Sequence, residues 1–203
     1  EFSDPNPFKV LHVGHLYTSI VGDSISRLLE FGKAKVVRAN FGGDVGLHVA
    51  KTLYALLERS DRTLAQLTIE DIAQCYVEGT RAYEEDEAAK ATITKLNKEV
   101  YRINAEDLHD SKLAQLYWRG RELSYQYFKE FYAQIGVKFD KFYPESSVAD
   151  RGLLEVRAHT GTTYEESDGA VVYKGEKVGL HTRVFINREG VPTYEAKDVG
   201  LIF

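Results

Sequence analysis

A short stretch near the N-terminus combines residues suited to binding phosphate. Lys9, His12, Gly14 and His15 come just before an apolar repeat typical of a helix. Two imidazoles three residues apart at a helix start lie on one face, and the glycine lets another group approach the backbone closely. A helix N-terminus attracts anions, and Lys9 adds a full positive charge. The pattern therefore favours a site for phosphate oxygens.

Paired histidines also occur by chance and in metal sites. A metal would need further ligands, and the other histidines show no pairing that would complete a set; they are His48, His109, His159 and His181. The single cysteine, Cys75, excludes a multi-cysteine zinc site and a disulfide framework. We therefore predict no metal site formed by protein ligands.

The elements around this stretch are typical of a parallel α/β sheet. Apolar residues at helical spacing predict a helix over 16–29 that stops at Gly32, and the apolar run at 34–41 predicts a strand. A truncated strand at residues 1–2 would precede the site. The site then occupies a strand-to-helix crossing, where such sheets place their ligand crevice.

The rest of the chain is predicted to be helical first and then β. Thr68 and Asp71 are spaced like a capping pair, and an apolar stripe predicts a helix over 113–135 that ends at Gly136. A strand and a short helix are expected at 137–143 and 153–159. From Thr162 the period changes to two, and glycine turns at Lys174–Gly175 and Glu189–Gly190 predict a small antiparallel sheet.

Composition limits the class of protein. The chain has 203 residues, 43% hydrophobic and 28% charged, which is typical of a globular protein with a sizeable core. A net charge of -5 argues against a broadly basic nucleic-acid-binding face. With no apolar run long enough to cross a bilayer and no signal peptide, we expect no membrane association and a cytoplasmic location. The absence of methionine and the abrupt end at "DVGLIF" predict a fragment.

Three separated strings resemble one family. "HVGH" at 12–15 resembles the HIGH signature of class I aminoacyl-tRNA synthetases, and "EFSDPNPFKVLHVGHL" resembles its arginyl-tRNA synthetase form. "VVRANFGGDVGLHVAK" and "GVPTYEAKDVG" are similar to later parts of that family, in the same order. With the predicted elements, the resemblance implies an α/β fold, a Rossmann-like parallel sheet half with a helical insertion and a small antiparallel β insertion.

The chain would be the N-terminal part of the catalytic domain, in five segments. These are 1–59, the first part of the Rossmann-like domain with the HIGH-type motif; 60–111, the helical insertion; 112–160, a helix, strand and short helix returning to the catalytic domain; 161–190, the antiparallel β insertion; and 191–203, the truncated start of the substrate-side helix.

The resemblance implies that the intact protein is an aminoacyl-tRNA ligase acting in protein biosynthesis. It would use ATP to convert arginine into arginyl-adenylate and transfer it to tRNA(Arg), with Mg²⁺ carried by ATP. Lys9, His12, Gly14 and His15 match ATP-binding positions, and Lys9 and the two histidines match the catalytic ones, where charge at the α-phosphate is stabilised. We expect a monomer, and we expect the fragment alone to be inactive.

Arginine recognition needs acceptors placed around a planar, permanently charged guanidinium. Tyr194 and Asp198, four apart at the start of a predicted helix, match the family's substrate-side pair, and Asp198 could accept a bidentate fork. Glu1 and Asn6 match the remaining contacts, to the guanidinium and near the substrate backbone. The residues alone favour a core tyrosine and an aspartate that complements the helix dipole; the resemblance favours the binding role.

Four positions depart from the family pattern. A small residue, a proline, an arginine and a glutamine are usual at Phe8, Val10, Tyr17 and His48. Two other functions stay open. Another HIGH-type nucleotidyltransferase would keep the histidines without the pair on the predicted helix, and a non-catalytic synthetase-like protein would keep the fold without turnover.

Overall fold

The computed structural model describes residues 1–59 and 63–203. Residues 60–62, at the start of the predicted helical insertion, lie outside the described residues. The chain separates into two compact units, Glu1–Pro144 and Glu145–Phe203. The finer division into five segments stays a prediction.

The described residues form seven α-helices and five β-strands, which confirms the mixed α/β class. The helices are α1 Val13–Phe31, α2 Leu47–Glu58, α3 Ile69–Glu85, α4 Glu87–Ala105, α5 Lys112–Ile135, α6 Ser146–Ala158 and α7 Tyr194–Ile202. The strands are β1 Ala39–Gly42, β2 Lys141–Pro144, β3 Glu165–Ser167, β4 Ala170–Tyr173 and β5 Arg183–Ile186.

A parallel pair of strands forms the sheet of the first unit. β1 and β2 align with Ala39 opposite Lys141, as a Rossmann-like half requires. The predicted strand at residues 1–2 is not formed as a strand: Phe2 makes one backbone hydrogen bond, donating to the Ala39 carbonyl at 3.4 Å. The physical reason follows in the chain, because Ser3 and Asp4 have φ of 75° and 46° and leave the extended conformation.

Helices α2 to α5 build the main core of the first unit, around the fully buried Leu53, Ile72 and Tyr117. The predicted capping pair is confirmed, since Asp71 N–H donates to Thr68 Oγ1 at 3.3 Å and Asp71 Oδ2 accepts from Thr68 N–H at 3.0 Å. This reciprocal arrangement satisfies two backbone donors at the start of α3.

The long helix α5 matches its prediction. It begins after Ser111, whose hydroxyl accepts from Ala114 N–H at 3.0 Å, and ends at Gly136 in the left-handed conformation, with φ of 70°. Glycine adopts that conformation without steric penalty. The helix packs on the N-terminal segment at Gly120, where a Cβ would lie 2.4 Å from the Phe8 ring.

The second unit contains the predicted antiparallel sheet, in the order β3-β4-β5. The first turn is at Asp168–Gly169, both with positive φ, a pattern typical of a two-residue hairpin. In place of the predicted tight turn at Lys174–Gly175, the chain makes a longer connection containing a 3₁₀ helix, Gly175–Val178. The predicted turn at Glu189–Gly190 is formed, and Gly190 has φ of 78°.

Two helices complete the second unit. α6 begins at Ser146, earlier than the predicted 153, and packs against α7. The two backbones come very close: a Cβ on Gly152 would lie 2.0 Å from the Ala196 carbonyl oxygen, and one on Gly200 would lie 2.2 Å from that of Val148. Only glycine fits at these positions without moving a helix.

Candidate active site

The residues predicted to form the site are divided between the two units. Six of them, from Glu1 to His15, belong to the first unit, and Tyr194 and Asp198 belong to the second. Each group is therefore described within its own unit.

The two predicted histidines form the N-terminal cap of α1. His12 is the N-cap residue, and its Nδ1 accepts from Gly14 N–H at 3.1 Å. In return, Nδ1 of His15 accepts from His12 N–H at 3.2 Å. The ring centroids lie 4.0 Å apart. The imidazoles thus occupy the places that a serine and a glutamate take in an ordinary capping box.

This capping fixes the tautomers of both rings. An Nδ1 atom that accepts a hydrogen bond carries no proton, so the proton of each neutral imidazole lies on Nε2. Nε2–H is a donor, and two such donors stand at the N-terminus of α1, whose first turn contains no acidic residue. With the helix dipole, they make this end of α1 suited to an anion.

Gly14 is required by the cap itself. A Cβ at this position would lie 2.8 Å from Cε1 and 2.9 Å from Nδ1 of His12. The ring would have to move, and its hydrogen bond to Gly14 N–H would be lost. Gly14 therefore leaves the room that the His12 ring needs to cap the helix.

Partial burial and nearby positive charge lower the pKa of His15. Its pKa is lowered from the ordinary 6.5, first because partial burial disfavours the charged ring, and then because His12 and Lys9 repel a second positive charge. The Lys9 ammonium lies 5.1 Å from the centroid of the Tyr76 ring, a cation–π contact that holds it beside α3.

Asn6 and His48 hold the loop that follows β1. Asn6 Oδ1 accepts from Gly43 N–H at 2.9 Å, and His48 Nε2 donates to the Gly43 carbonyl at 2.8 Å. Within residues 1–59 and 63–203, Nδ2 of Asn6 has no acceptor in hydrogen-bond range. His48, one of the departures from the family pattern, is thus a structural residue here.

Phe8, another departure, anchors the segment that precedes the cap. Its ring is fully buried and stacks on Tyr117 with centroids 6.0 Å apart. Its backbone has φ of 66°, and its N–H donates to Ser124 Oγ at 3.0 Å. A bulky residue in this conformation is strained, and the core contacts hold it there. Val10 and Tyr17 are exposed, by contrast.

Sequence reasoning missed a buried polar network under the N-terminal segment. The Ser3 and Tyr132 hydroxyls lie 2.8 Å apart, and Ser19 of α1 donates to Ser3 Oγ at 2.9 Å. Asn40 of β1 donates to the Phe2 carbonyl at 3.2 Å. The network joins α1, β1 and α5 to the segment that carries Glu1 and Asn6. Isolated serines and an asparagine in a sequence do not indicate such a long-range contact.

Asp4 is a second residue that the sequence reasoning did not single out. Its Oδ1 accepts from Phe41 N–H at 2.7 Å. Its pKa is raised to about 6, chiefly because burial disfavours the charged form; the Phe41 hydrogen bond opposes this, and the neighbouring Glu1 charge adds to it. Its place between Glu1 and Asn6 is the signal that could have indicated it.

Tyr194 and Asp198 lie on one helix, α7, as predicted. Tyr194 begins the helix and is 55% exposed, so it is not a core tyrosine. Asp198 is also exposed. Between them lies Lys197, whose ammonium pairs with Glu145 and lies 5.0 Å from the centroid of the Tyr194 ring. Both Lys197 and Glu145 are buried, so this ion pair fixes one face of α7.

Residues 1–59 and 63–203 contain neither a cluster of metal ligands nor a helix that could cross a membrane. No group of three or more His, Cys, Asp or Glu side chains is arranged to hold a metal ion. None of the helices combines the length and the apolar character needed to span a membrane.

The sequence is similar to arginine–tRNA ligases over its whole length. The protein from Treponema pallidum is 31% identical over 98% of this chain and 34% of its own length. The protein from Treponema denticola is 29% identical, with coverage of 98% and 34%. The chain thus spans about a third of the length of these relatives.

Solved structures share the fold. An arginyl-tRNA synthetase from Plasmodium falciparum matches with a TM-score of 0.68 and 22% identity, over 99% of this chain and 33% of its own. One from Thermus thermophilus matches with a TM-score of 0.66 and 23% identity, over 100% and 34%.

A match to a family model identifies the family of the chain. The model described as tRNA synthetases class I (R), catalytic domain, matches residues 1–203, the whole of the sequence. The histidine cap at the start of α1 lies where the HIGH-type motif was predicted. The chain belongs to the catalytic domain family of the class I tRNA synthetases (R).

Proposed function

We propose that the intact protein is an arginine–tRNA ligase, which activates arginine with ATP and transfers it to tRNA(Arg). Family membership and the similarity to arginine–tRNA ligases support this proposal. The observation that carries it is the histidine cap, in which both Nδ1 atoms accept backbone N–H groups and both Nε2–H groups remain as donors.

The first step needs no protein nucleophile. A carboxylate oxygen of arginine attacks the α-phosphorus of ATP, the bond to the β-phosphate oxygen breaks, and arginyl-adenylate and pyrophosphate form. Negative charge is redistributed over the phosphate oxygens in the transition state. The Nε2–H groups of His12 and His15, the α1 N-terminus and the Lys9 ammonium would stabilise that charge.

The arginine side would use carboxylates and neutral acceptors. Asp198, which is exposed and four residues after Tyr194 on α7, would accept two N–H donors of the guanidinium. For the first unit, the resemblance assigns Glu1 to the guanidinium and Asn6 to the substrate backbone, where Asn6 Nδ2 would donate to an oxygen. Lysine would leave acceptors unpaired, which is the basis for selectivity.

The remaining components follow from the substrates. Mg²⁺ would arrive with ATP, held mainly by phosphate oxygens and water. The second step transfers arginine from the adenylate to a ribose hydroxyl of tRNA. We propose a cytoplasmic monomer, and light scattering on the full-length protein would test its mass.

Arginine-dependent exchange of labelled pyrophosphate into ATP is the direct test, run on the full-length protein with and without tRNA. We expect exchange with arginine and none with lysine. His15→Gln keeps a cap acceptor but removes the Nε2–H donor, and it should lower exchange about 100-fold. His159→Gln, at an exposed histidine of the second unit, should leave it unchanged.

The alternatives predict other outcomes. A non-catalytic protein would show no exchange with any amino acid. Asp198→Asn should raise the KM for arginine at least tenfold and leave the KM for ATP unaltered, because the proposal assigns this carboxylate to the guanidinium and not to ATP. Exchange with another amino acid would overturn the arginine assignment.

A further inference from the structure

A large cavity lies in the first unit, lined by residues outside the candidate active site. Its volume is about 840 Å³, and it lies between the C-terminal half of α5 and the segment 136–144 that contains β2. Small-molecule sites have volumes of roughly 300–1,000 Å³. The cavity can therefore hold an organic molecule of ordinary size.

Five of the twelve residues that line the cavity are aromatic. Tyr125, Phe128 and Tyr132 come from α5, and Phe139 and Phe142 come from the following segment. The ring centroids of Tyr132 and Phe139 are 4.8 Å apart, and those of Phe139 and Phe142 are 5.5 Å apart. Rings at such spacings offer faces and edges to a further planar group.

The hydroxyl group of Tyr132 does not make the aromatic wall of the cavity polar. Its hydroxyl is bonded to Ser3 at 2.8 Å in the buried network, so the ring rather than the hydroxyl is left for a ligand. A flat apolar body is therefore the complement of this wall.

The charged residues of the cavity are all cationic. They are Arg121, Lys129 and Lys138, and no aspartate or glutamate of the described residues lines it. Arg121 is already paired with the buried Asp44 at 2.8 Å and lies over the Tyr125 ring. Lys129 and Lys138 are exposed, and within residues 1–59 and 63–203 neither has an ion-pair or hydrogen-bond partner. Their two positive charges complement an anionic group.

We propose that this cavity binds a small planar aromatic anion, with its ring among the aromatic side chains and its carboxylate, sulfonate or phosphate beside Lys129 and Lys138. The site uses none of the residues assigned to ATP or arginine, and it does not depend on the proposed function.

Fluorescence titration of the full-length protein with 1-anilinonaphthalene-8-sulfonate tests the site, since this probe is an aromatic anion. We expect one saturable site, with a Kd on the order of tens of micromolar. The neutral N-phenyl-1-naphthylamine, which lacks the sulfonate, should bind at least tenfold more weakly.

Three variants locate the bound probe. Ala133→Trp places a large ring in the cavity and should weaken binding at least tenfold. The double change Lys129→Gln and Lys138→Gln should weaken binding of the sulfonate about tenfold and leave that of the neutral probe unaltered. Leu28→Gln, on the exposed apolar face of α1, is the matched control and should have no effect.

The proposal fails if Ala133→Trp, with a circular dichroism spectrum like that of the wild type, binds the sulfonate as tightly as the wild type. It also fails if the lysine changes leave the affinity unaltered, or if Leu28→Gln abolishes the signal. No saturable binding to the full-length protein would equally overturn it.

Discussion

At the scale of single residues, His12 and His15 serve the helix and the ligand with different atoms. Their Nδ1 atoms satisfy backbone donors at the start of α1, and their Nε2–H groups remain for phosphate. A protonated His15 ring can no longer accept at Nδ1, so its hydrogen bond to His12 N–H exists only while that ring is neutral. The cap therefore makes the stability of this region depend on pH.

The lowered pKa of His15 predicts the sign of that dependence. As pH falls below about 6.5, the unfolded chain binds a proton at this residue before the folded chain does. The free energy of unfolding should thus decrease from pH 6.5 downward and show no contribution from His15 above it. Urea denaturation of the wild type and His15→Gln measures this, and equal pH dependence of the two would contradict it.

The raised pKa of Asp4 predicts the opposite sign. Its folded pKa of about 6 exceeds the ordinary 3.8, so stability is lost as pH rises from 3.8 to 6. Asp4→Asn keeps the acceptor for Phe41 N–H and removes the charge. We expect it to stabilise the protein at pH 7 by about 1 kcal/mol, less than the full linkage value because the carboxyl is only half-buried. The gain should vanish at pH 4, and a gain equal at both pH values would refute this explanation.

At the scale of elements, α5 positions the N-terminal segment at a glycine, where the absence of a side chain lets the two pack closely. Gly120 leaves room for the Phe8 ring, and Ser124, one turn later, accepts from Phe8 N–H. The strained backbone of Phe8 is held by these contacts and by Tyr117. The segment leading to the histidine cap is thus fixed from the helical core.

Gly120→Ala should disturb that arrangement. A Cβ would lie 2.4 Å from the Phe8 ring, and overpacking of this kind costs about 1–3 kcal/mol. Alanine favours the helix itself by about 1 kcal/mol, so a net loss would come from the contact with Phe8. Thermal denaturation measures it, with Gln126→Ala at an exposed site of α5 as control. A more stable Gly120→Ala variant would show that the ring moves aside freely.

The elements themselves could be predicted where one local signal dominates. Helical periodicity located α1 and α5, and Gly136 marked the end of α5. Periodicity does not show which face is buried: Leu28 of the apolar stripe is 70% exposed, while Ser19 and Ser26 are buried. These serines are accommodated because they hydrogen-bond to Ser3 and to backbone carbonyls.

In the candidate site, too, local features could be predicted from the sequence and long-range contacts could not. A short motif was sufficient to predict the two histidines and the glycine, because their contacts are local. Phe8 in a left-handed conformation and the Ser3 hydroxyl contact with Tyr132 depend on α5, more than a hundred residues away in the chain. The prediction of a strand at residues 1–2 was wrong because tertiary contacts hold Ser3 and Asp4 at positive φ.

At the scale of the whole molecule, the chain has separate cores. The first unit is built around α2 to α5, with a second cluster around Phe128 and Tyr132, and the second unit is built around Val156, Ile186 and Ala196. Each unit also has a place where two helix backbones meet at a glycine. Matched changes at these places can therefore destabilise one core at a time.

Gly200→Ala and Gly79→Ala form such a pair. A Cβ on Gly200 would lie 2.2 Å from the Val148 carbonyl oxygen, and one on Gly79 would lie 1.9 Å from that of Lys51. A backbone carbonyl cannot move aside as easily as the end of a flexible side chain. Each change should therefore lower the free energy of unfolding of its own unit by about 1–3 kcal/mol. Because local opening free energies set amide exchange rates, Gly200→Ala should speed exchange about tenfold in α6 and α7 and leave α2 to α5 unaltered. Gly79→Ala should do the reverse. Faster exchange in both units with either variant would mean that the two cores unfold as one cooperative body.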